Sequence, residues 1–317
     1  MTISLHHGPP GVAWSALAVA LFALPAAAAA AGQEYYVAFA ARVLVFGLAA
    51  TSLNFILGYG GMVSFGHAAF FGCGAYTVAA LAAHGVGSAW IAWPLAMLAS
   101  ALLAAAIGAA SLRTRGLYFI MITLAFAQMV YYLAVSLKAL GGDDGLALPA
   151  RSSVGFGATL QGDATFYYVV LALCLGAVYA MRRAIDAPFG RALQAIRENA
   201  SRMEAIGYPV RRIQLAAFTI AGAAAGLAGA LFVNLNGRVG PGILDWPQSG
   251  SLLVMVILGG VGYRFGGFVG AAVLLSMEEF LPAYWAHWQM VLGIVLLAIV
   301  LRPSPSPLGE GRKEGHP

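Results

Sequence analysis

Long uninterrupted apolar runs, separated by short polar breaks, dominate the chain. Ten runs stand out, at residues 13–31, 37–57, 62–83, 89–111, 117–137, 164–181, 213–235, 250–262, 265–281 and 284–301. Most approach the ~20 residues that a helix needs to cross a hydrocarbon core of ~30 Å. The eighth and ninth runs are shorter and broken by glycine. They predict either two spans or one re-entrant hairpin, for a total of about eight to ten spans. A transmembrane barrel would instead alternate apolar and polar positions in segments of ~10 residues, and no such alternation is present. The pattern therefore predicts an all-α, polytopic transmembrane helical bundle, in which each helix satisfies its own backbone polar groups.

Composition agrees. Hydrophobic residues make up 61% of the 317 and charged residues 9%, against ~25% charged in ordinary soluble domains. That balance excludes a water-soluble globular domain. Residues 1–32 also have the outline of a secretory signal, an apolar core ending in an alanine-rich stretch. The first twelve residues contain His6 and His7 but no Lys or Arg, which favours a retained first helix over a cleaved one.

Charge adds orientation. The net charge is +5 and the pI near 9.3, but the basic residues cluster in a few loops instead of forming a nucleic-acid-like stripe. With the segment 183–212 placed in the cytoplasm and the spans alternating, thirteen basic residues fall on the cytoplasmic side. Only Arg42, Lys138, Arg151 and Arg238 fall opposite. The positive-inside rule predicts such a split, with both termini cytoplasmic. The membrane domain then covers 1–302. Residues 303–317, rich in Pro, Ser and Gly, read as a disordered cytoplasmic tail.

Two sequence features carry more. First, Ile56-Leu57-Gly58-Tyr59-Gly60-Gly61, followed by Phe65-Gly66 and Gly74-Ala75, echoes Ile257-Leu258-Gly259-Gly260-Val261-Gly262, followed by Phe265-Gly266 and Gly270-Ala271. Paired glycine-interrupted segments at the same side of the membrane read as a parallel repeat and a transport pathway. Chance similarity between glycine-rich helices is the equal alternative.

Second, the one sizeable polar cytoplasmic segment runs from Asp186 to Pro209. Asp186 followed by Pro188 predicts a helix start, and Gly207 with Pro209 a stop. Phe189, Leu193, Ile196, Ala200, Met203 and Ile206 recur at steps of three and four, which predicts one apolar stripe on a charged helix or helix pair. Two readings stand on the residues alone. One is an amphipathic helix lying on the inner leaflet. The other is a knob that docks into a groove on a cytoplasmic partner.

This segment resembles the ATPase-coupling loop of bacterial ABC importer permeases, in the form Gly190-Arg191-Ala192-Leu193-x-Ala195-Ile196-Arg197-Glu198-Asn199 followed by Glu204-Ala205-x-Gly207. Three further stretches, Asn54 to Tyr76, Arg113 to Leu124 leading to Gly141-Gly142-Asp143-Asp144-Gly145-Leu146, and Leu258 to Ala271, extend the resemblance to branched-chain amino acid permeases of the LivM type. Ala200 stands where such permeases often carry an acidic residue, Gly267 where a Pro is usual, and Tyr263-Arg264 where small polar residues are usual. The resemblance implies a permease subunit in the bacterial inner membrane, moving branched-chain or other hydrophobic amino acids. It implies a second permease as heterodimer partner, two cytoplasmic ATPases that bind ATP-Mg, and a periplasmic substrate-binding protein. It also implies that Phe189, Gly190, Arg191, Leu193, Ile196, Arg197, Glu198, Met203, Glu204 and Gly207 form the coupling surface. The same machinery with urea, a short amide or a sugar as cargo is one alternative. A secondary carrier or channel that uses no ATP is another, and a membrane scaffold is a third.

Among individual residues, His67 is an ionisable group inside a span and so a pathway candidate. A packed helix-interface histidine is the more common occurrence. Asn54, Ser64, Thr123 and Gln128 are the other polar candidates for the pathway, against a plain role in interhelical hydrogen bonding. Gly141 to Gly145 fits a tight external bend that meets the binding protein, and Glu278 and Glu279 an outer interface. Cys73 and Cys174 lie in separate spans with no metal-ligand spacing, and are read as packing residues. No phosphate-binding Gly-x-x-x-x-Gly-Lys-Ser/Thr run occurs, so any ATPase is a separate chain that carries the nucleotide, and this chain is expected to hold no cofactor. No nucleophile, base and orienting residue are arranged as an enzyme would need.

Overall fold

The computed structural model describes residues 22–26, 28, 32, 35–153, 162–284 and 287–301. The first expected span, 13–31, lies mostly outside them, and so does the tail at 303–317.

Eleven α-helices form the body of the described residues: α1 (Tyr35–Asn54), α2 (His67–Ala83), α3 (Ala89–Ser111), α4 (Leu117–Ser136), α5 (Asp163–Asp186), α6 (Pro188–Glu198), α7 (Ala200–Ala205), α8 (Val210–Asn236), α9 (Trp246–Gly259), α10 (Gly266–Tyr284) and α11 (Trp288–Leu301). Within them, five helices are long and apolar enough to cross a membrane by length and composition. These are α1 with its extension to Tyr59, α3, α4, α5 and α8. The helices α2 and α9 are shorter, and at ~1.5 Å rise per residue α9 reaches only about 21 Å.

Helix α8 is the hub, packed against α1, α2 and α3. Its small residues make this possible. A Cβ built on Gly229 would lie 1.8 Å from the Phe71 carbonyl oxygen, and one on Gly226 would lie 2.3 Å from Ser100 Oγ. In α2, Gly74 presses on the backbone of Gly226 in the same way. Between membrane helices there is no hydrophobic drive to associate, so close backbone approach at small residues supplies the contact. The rings of Phe46, Phe71 and Phe232 fill the adjoining space.

A second unit is the hairpin of α9 and α10, where Gly259 meets Gly266 and Gly270 meets Met255 backbone to backbone. This hairpin packs on α1, with Gly267 against Thr51 and Phe268 against Gly47. The expected spans at 250–262 and 265–281 are thus one antiparallel helix pair. Its first helix starts earlier than the sequence suggested, at Trp246.

At the opposite end from α6 and α7, Leu146–Ala147 (β1) pairs antiparallel with Arg238–Val239 (β2). Two 3-10 turns, Lys138–Leu140 and Gly142–Asp144, lead into β1, the second inside the Gly141 to Gly145 segment. Arg151 pins the neighbouring loop. It bridges Asp163 at 2.6 Å, lies over the Phe166 ring at 4.9 Å and donates to the Asn234 carbonyl. Glu279 of α10 pairs with Arg42 of α1 at 3.6 Å and accepts a hydrogen bond from the Tyr35 hydroxyl. Cys73 and Cys174 are both free thiols.

Candidate functional site

The first glycine-rich stretch breaks a helix. After Asn54 the chain widens into a π-helical turn, Phe55–Tyr59, and stops at Gly60 and Gly61. Gly61 has φ +67°, a left-handed conformation that a residue with a Cβ resists. Residues 62–66 are not helical and α2 begins at His67, five residues later than the apolar run suggested. The glycines won over the hydrophobic pattern because they set the backbone, whatever the surrounding polarity.

The second stretch breaks the chain at the same end, between α9 and α10, and the two breaks touch. A Cβ on Gly58 would lie 2.6 Å from the Gly262 nitrogen. Asn54 clamps the pair: its Nδ2 donates to the Tyr263 carbonyl at 2.8 Å, and its Oδ1 accepts from the Gly262 N–H at 2.8 Å. Asn54 is 2% exposed, so these bonds satisfy break backbone that would otherwise lack partners away from water. The sequence echo therefore corresponds to a physical junction between two helix–break–helix units.

Below this junction lies the polar segment 183–212, which folds as the helix pair α6 and α7. Asp186 is not the cap that its spacing suggested. It ends α5, and Ala187 holds the N-cap position, with Pro188 in the first turn. The two short helices separate at Asn199, whose Oδ1 accepts from the Arg202 N–H at 2.9 Å. Gly207, at φ +87°, follows the end of α7.

The apolar stripe points inward. Leu193 is 0% and Ile196 2% exposed, while Gly190 and Met203 are buried and Phe189 is half-buried. Leu193 and Phe189 join the main core, whereas Ile196 and Met203 pack with Val210 beside it. From Phe189 to Met203 the stripe is therefore covered by this chain itself, whereas Ile206, its last member, is 64% exposed. The faces left outward carry Arg191, Glu198, Arg202, Glu204, Ile206 and Tyr208. Glu204 pairs with Arg115 at 2.9 Å, an exposed pair that contributes little stability.

One residue of α6 links this helix pair to the junction above. Arg197 donates from Nη1 to the Gly58 carbonyl, inside the π-helical turn. Its stem crosses Gly61, where an added Cβ would come within 2.9 Å of Arg197 Cγ. Leu193 approaches Gly60 from the same helix. Arg197 thereby connects α6 to the first glycine break, and Asn54 connects that break to the second.

Four of the five polar pathway candidates gather around this region. Ser64 is buried and accepts from the Gly66 N–H at 3.2 Å, while Thr123 of α4 accepts from the Phe65 N–H at 3.3 Å. His67 is fully buried at the start of α2, with Nε2 2.7 Å from Ser52 Oγ. Ser52 Oγ also lies 2.7 Å from the Ala49 carbonyl oxygen. His67 Nδ1 is buried with no hydrogen-bond partner among the described residues. Ser64, Thr123 and Asn54 tie up broken backbone.

Gln128 is elsewhere. It donates from Nε2 to Asp245 Oδ1 at 2.7 Å, beside a recess lined by Leu124, Tyr131, Tyr132 and Trp246. Asp245 also caps α9 by accepting from the Trp246 N–H at 2.7 Å. Sequence reasoning missed Asp245. Its signal was present, since Asp245-Trp246-Pro247 is a helix start of the form looked for at Asp186. Ser52 and Ser249, which accepts from the Ala68 N–H at 2.9 Å, were also missed. Hydroxyls inside apolar runs give no local signal of their partners. No group of three or more potential metal-ligating side chains occurs among the described residues.

Known proteins place this architecture. Residues 35–300 match the family described as the permease component of the branched-chain amino acid transport system. The chain is 30% identical over 289 residues to the high-affinity branched-chain amino acid transport system permease protein LivM of Escherichia coli, covering 83% of this chain and 68% of that one. A probable branched-chain amino acid transport permease protein LivM of Methanocaldococcus jannaschii is 26% identical over 203 residues, covering 58% and 57%. The autoinducer 2 import system permease protein LsrC of Klebsiella pneumoniae is 31% identical over 144 residues, covering 42% and 40%. No solved structure matches. With the helical bundle, the paired glycine breaks and a match across residues 35–300, the chain belongs to the branched-chain amino acid transport permease family.

Proposed function

We propose that this chain is the permease subunit of an ATP-driven importer for branched-chain or other hydrophobic amino acids in a bacterial inner membrane. In this reading it spans the membrane about ten times with both termini cytoplasmic, its membrane domain covers 1–302, and 303–317 is a cytoplasmic tail. It pairs with a second permease, takes substrate from a periplasmic binding protein, and is driven by two ATPases that hold ATP-Mg. The observation that carries the reading is the bond from Arg197 of α6 to the Gly58 carbonyl.

The mechanism follows from that linkage. An ATPase docks on the outward faces of α6 and α7, around Arg191, Arg202, Ile206 and Tyr208. Its closure on ATP moves the helix pair as a body, because Leu193 and Ile196 seat the pair in the chain's own interior. Arg197 and Leu193 carry the displacement to Gly58 and Gly60, and Asn54 carries it to Gly262. The hairpin of α9 and α10 then shifts against α1. A two-state membrane element is thus biased by a partner that contacts the two states differently. Similarity to the autoinducer 2 permease favours a second cargo reading, the same machine with a sugar-like substrate.

Uptake measured in cells with and without the cognate ATPase tests the class. Loss of uptake supports an ATP-driven importer, and undiminished uptake contradicts it in favour of a carrier or channel. The ligand of the cognate binding protein decides between the two cargo readings.

A further inference from the structure

The segment leading into α9 dips between helices of the bundle. A 3-10 turn, Pro241–Leu244, packs against α2 and α4. A Cβ on Gly72 of α2 would lie 2.3 Å from Leu244 Cδ2. Gly72 is eleven residues before Ala83, the outer end of α2, so Leu244 sits about 17 Å below that end. Gln128, the hydrogen-bond partner of Asp245, is eight residues before Ser136, or roughly 12 Å below the same end of α4. Two independent helices therefore put the Asp245 carboxylate well inside the span.

An ionisable group at that depth calls for a partner or a function. Both hydrogen bonds recorded to Asp245, from Gln128 and from the Trp246 N–H, go to Oδ1, and Oδ2 accepts none among the described residues. No cation pairs with Asp245 among the described residues. The recess beside it is walled by Leu124, Tyr131, Tyr132 and Trp246, and it opens on an exposed face of α4, where Met129 is 64% and Tyr132 62% exposed. One free carboxylate oxygen beside an apolar, aromatic wall is complementary to a primary ammonium group attached to a hydrophobic side chain.

We propose that this recess is a substrate waypoint on the translocation route, where the Asp245 carboxylate receives the ammonium group of a hydrophobic amino acid and Leu124, Tyr131 and Trp246 receive its side chain. Gln128 holds the carboxylate in place by occupying Oδ1 and leaving Oδ2 to the substrate. The inference rests on the amino acid reading of the cargo given above. A neutral, sugar-like cargo has no use for the charge.

The test is Asp245→Asn in the complete transporter, reconstituted with its second permease, ATPases and binding protein, with L-leucine as the probe. Asparagine caps a helix as well as aspartate and still offers Gln128 an oxygen, so the substitution replaces only the charged Oδ2 acceptor, by a neutral amide NH2. Initial leucine uptake falls at least about tenfold, the scale of one hydrogen bond to a charged group. The thermal midpoint, subunit assembly and ATP hydrolysis stay at wild-type levels, and Asp245→Glu restores part of the uptake. Wild-type leucine uptake by Asp245→Asn overturns the inference and leaves the cargo reading standing. A loss of uptake matched by a fall in midpoint or assembly assigns Asp245 to the fold and also overturns it. A wild-type transporter that moves another cargo but no leucine overturns the cargo reading itself, and the waypoint with it.

Discussion

Arg197 donates a hydrogen bond to the backbone carbonyl of Gly58, joining helix α6 to the π-helical turn that ends α1. The π turn leaves the Gly58 carbonyl outside regular helical pairing, and π turns of this kind recur at functional sites. A guanidinium is suited to the role, since it stays charged and its planar donors hold a fixed direction. The break is thereby held by a residue of the same polar segment that carries the apolar stripe.

Asn54 extends the connection, and its loss has a definite cost. Asn54→Ala leaves the Gly262 N–H and the Tyr263 carbonyl without their side-chain partner. Gly262 is half-buried and Tyr263 exposed, so each lost hydrogen bond costs about 0.5–1.5 kcal/mol. The thermal midpoint of the purified transporter falls by several degrees, and uptake falls with it. An unchanged midpoint contradicts the clamp.

The inward turn of the coupling stripe separates two kinds of substitution. Leu193→Ala removes a fully buried side chain and costs about 2–5 kcal/mol, seen as a lower midpoint of the permease alone. Ile206 is 64% exposed, so Ile206→Ser leaves the midpoint within about 0.5 kcal/mol of wild type and weakens retention of the ATPase on co-purification. The reverse pattern, with Leu193→Ala stable but stripped of ATPase, restores the stripe as the docking surface.

Glycine packing around α8 gives a third contrast. Gly229→Ala sets a methyl group 1.8 Å from the Phe71 carbonyl oxygen, so α2 and α8 must separate, at a cost of about 1–3 kcal/mol. Gly176 of α5 has nothing within 4 Å of a built Cβ, and Gly176→Ala is neutral or stabilises by up to about 1 kcal/mol. Thermal unfolding in detergent measures both. Equal midpoints for the two variants contradict the close crossing.

How much of this was legible in the sequence follows from which forces act locally. Apolar runs mark the helices well, because the ~20-residue requirement of the bilayer acts on each segment by itself. The end of α1 at Gly60 and Gly61 was visible as a glycine cluster, but the delay of α2 to His67 was not, since Met62, Val63 and Phe65 keep the run apolar. The amphipathic period of 189–206 was legible, yet period alone does not say whether a stripe meets a lipid, a partner or the chain's own core. Phe189, Leu193, Ile196 and Met203 turned out to meet the core. Contacts between distant residues, such as Arg197 with Gly58 and Gln128 with Asp245, leave no trace in spacing.

The central claim is that α6 drives the membrane helices through the first glycine break. Simultaneous measurement of ATP hydrolysis and substrate uptake by the reconstituted Arg197→Ala transporter tests it most directly. The account predicts intact assembly, hydrolysis close to wild type, and uptake lowered about tenfold or more, so that ATP is consumed without transport. Uptake per ATP equal to that of the wild type would contradict it.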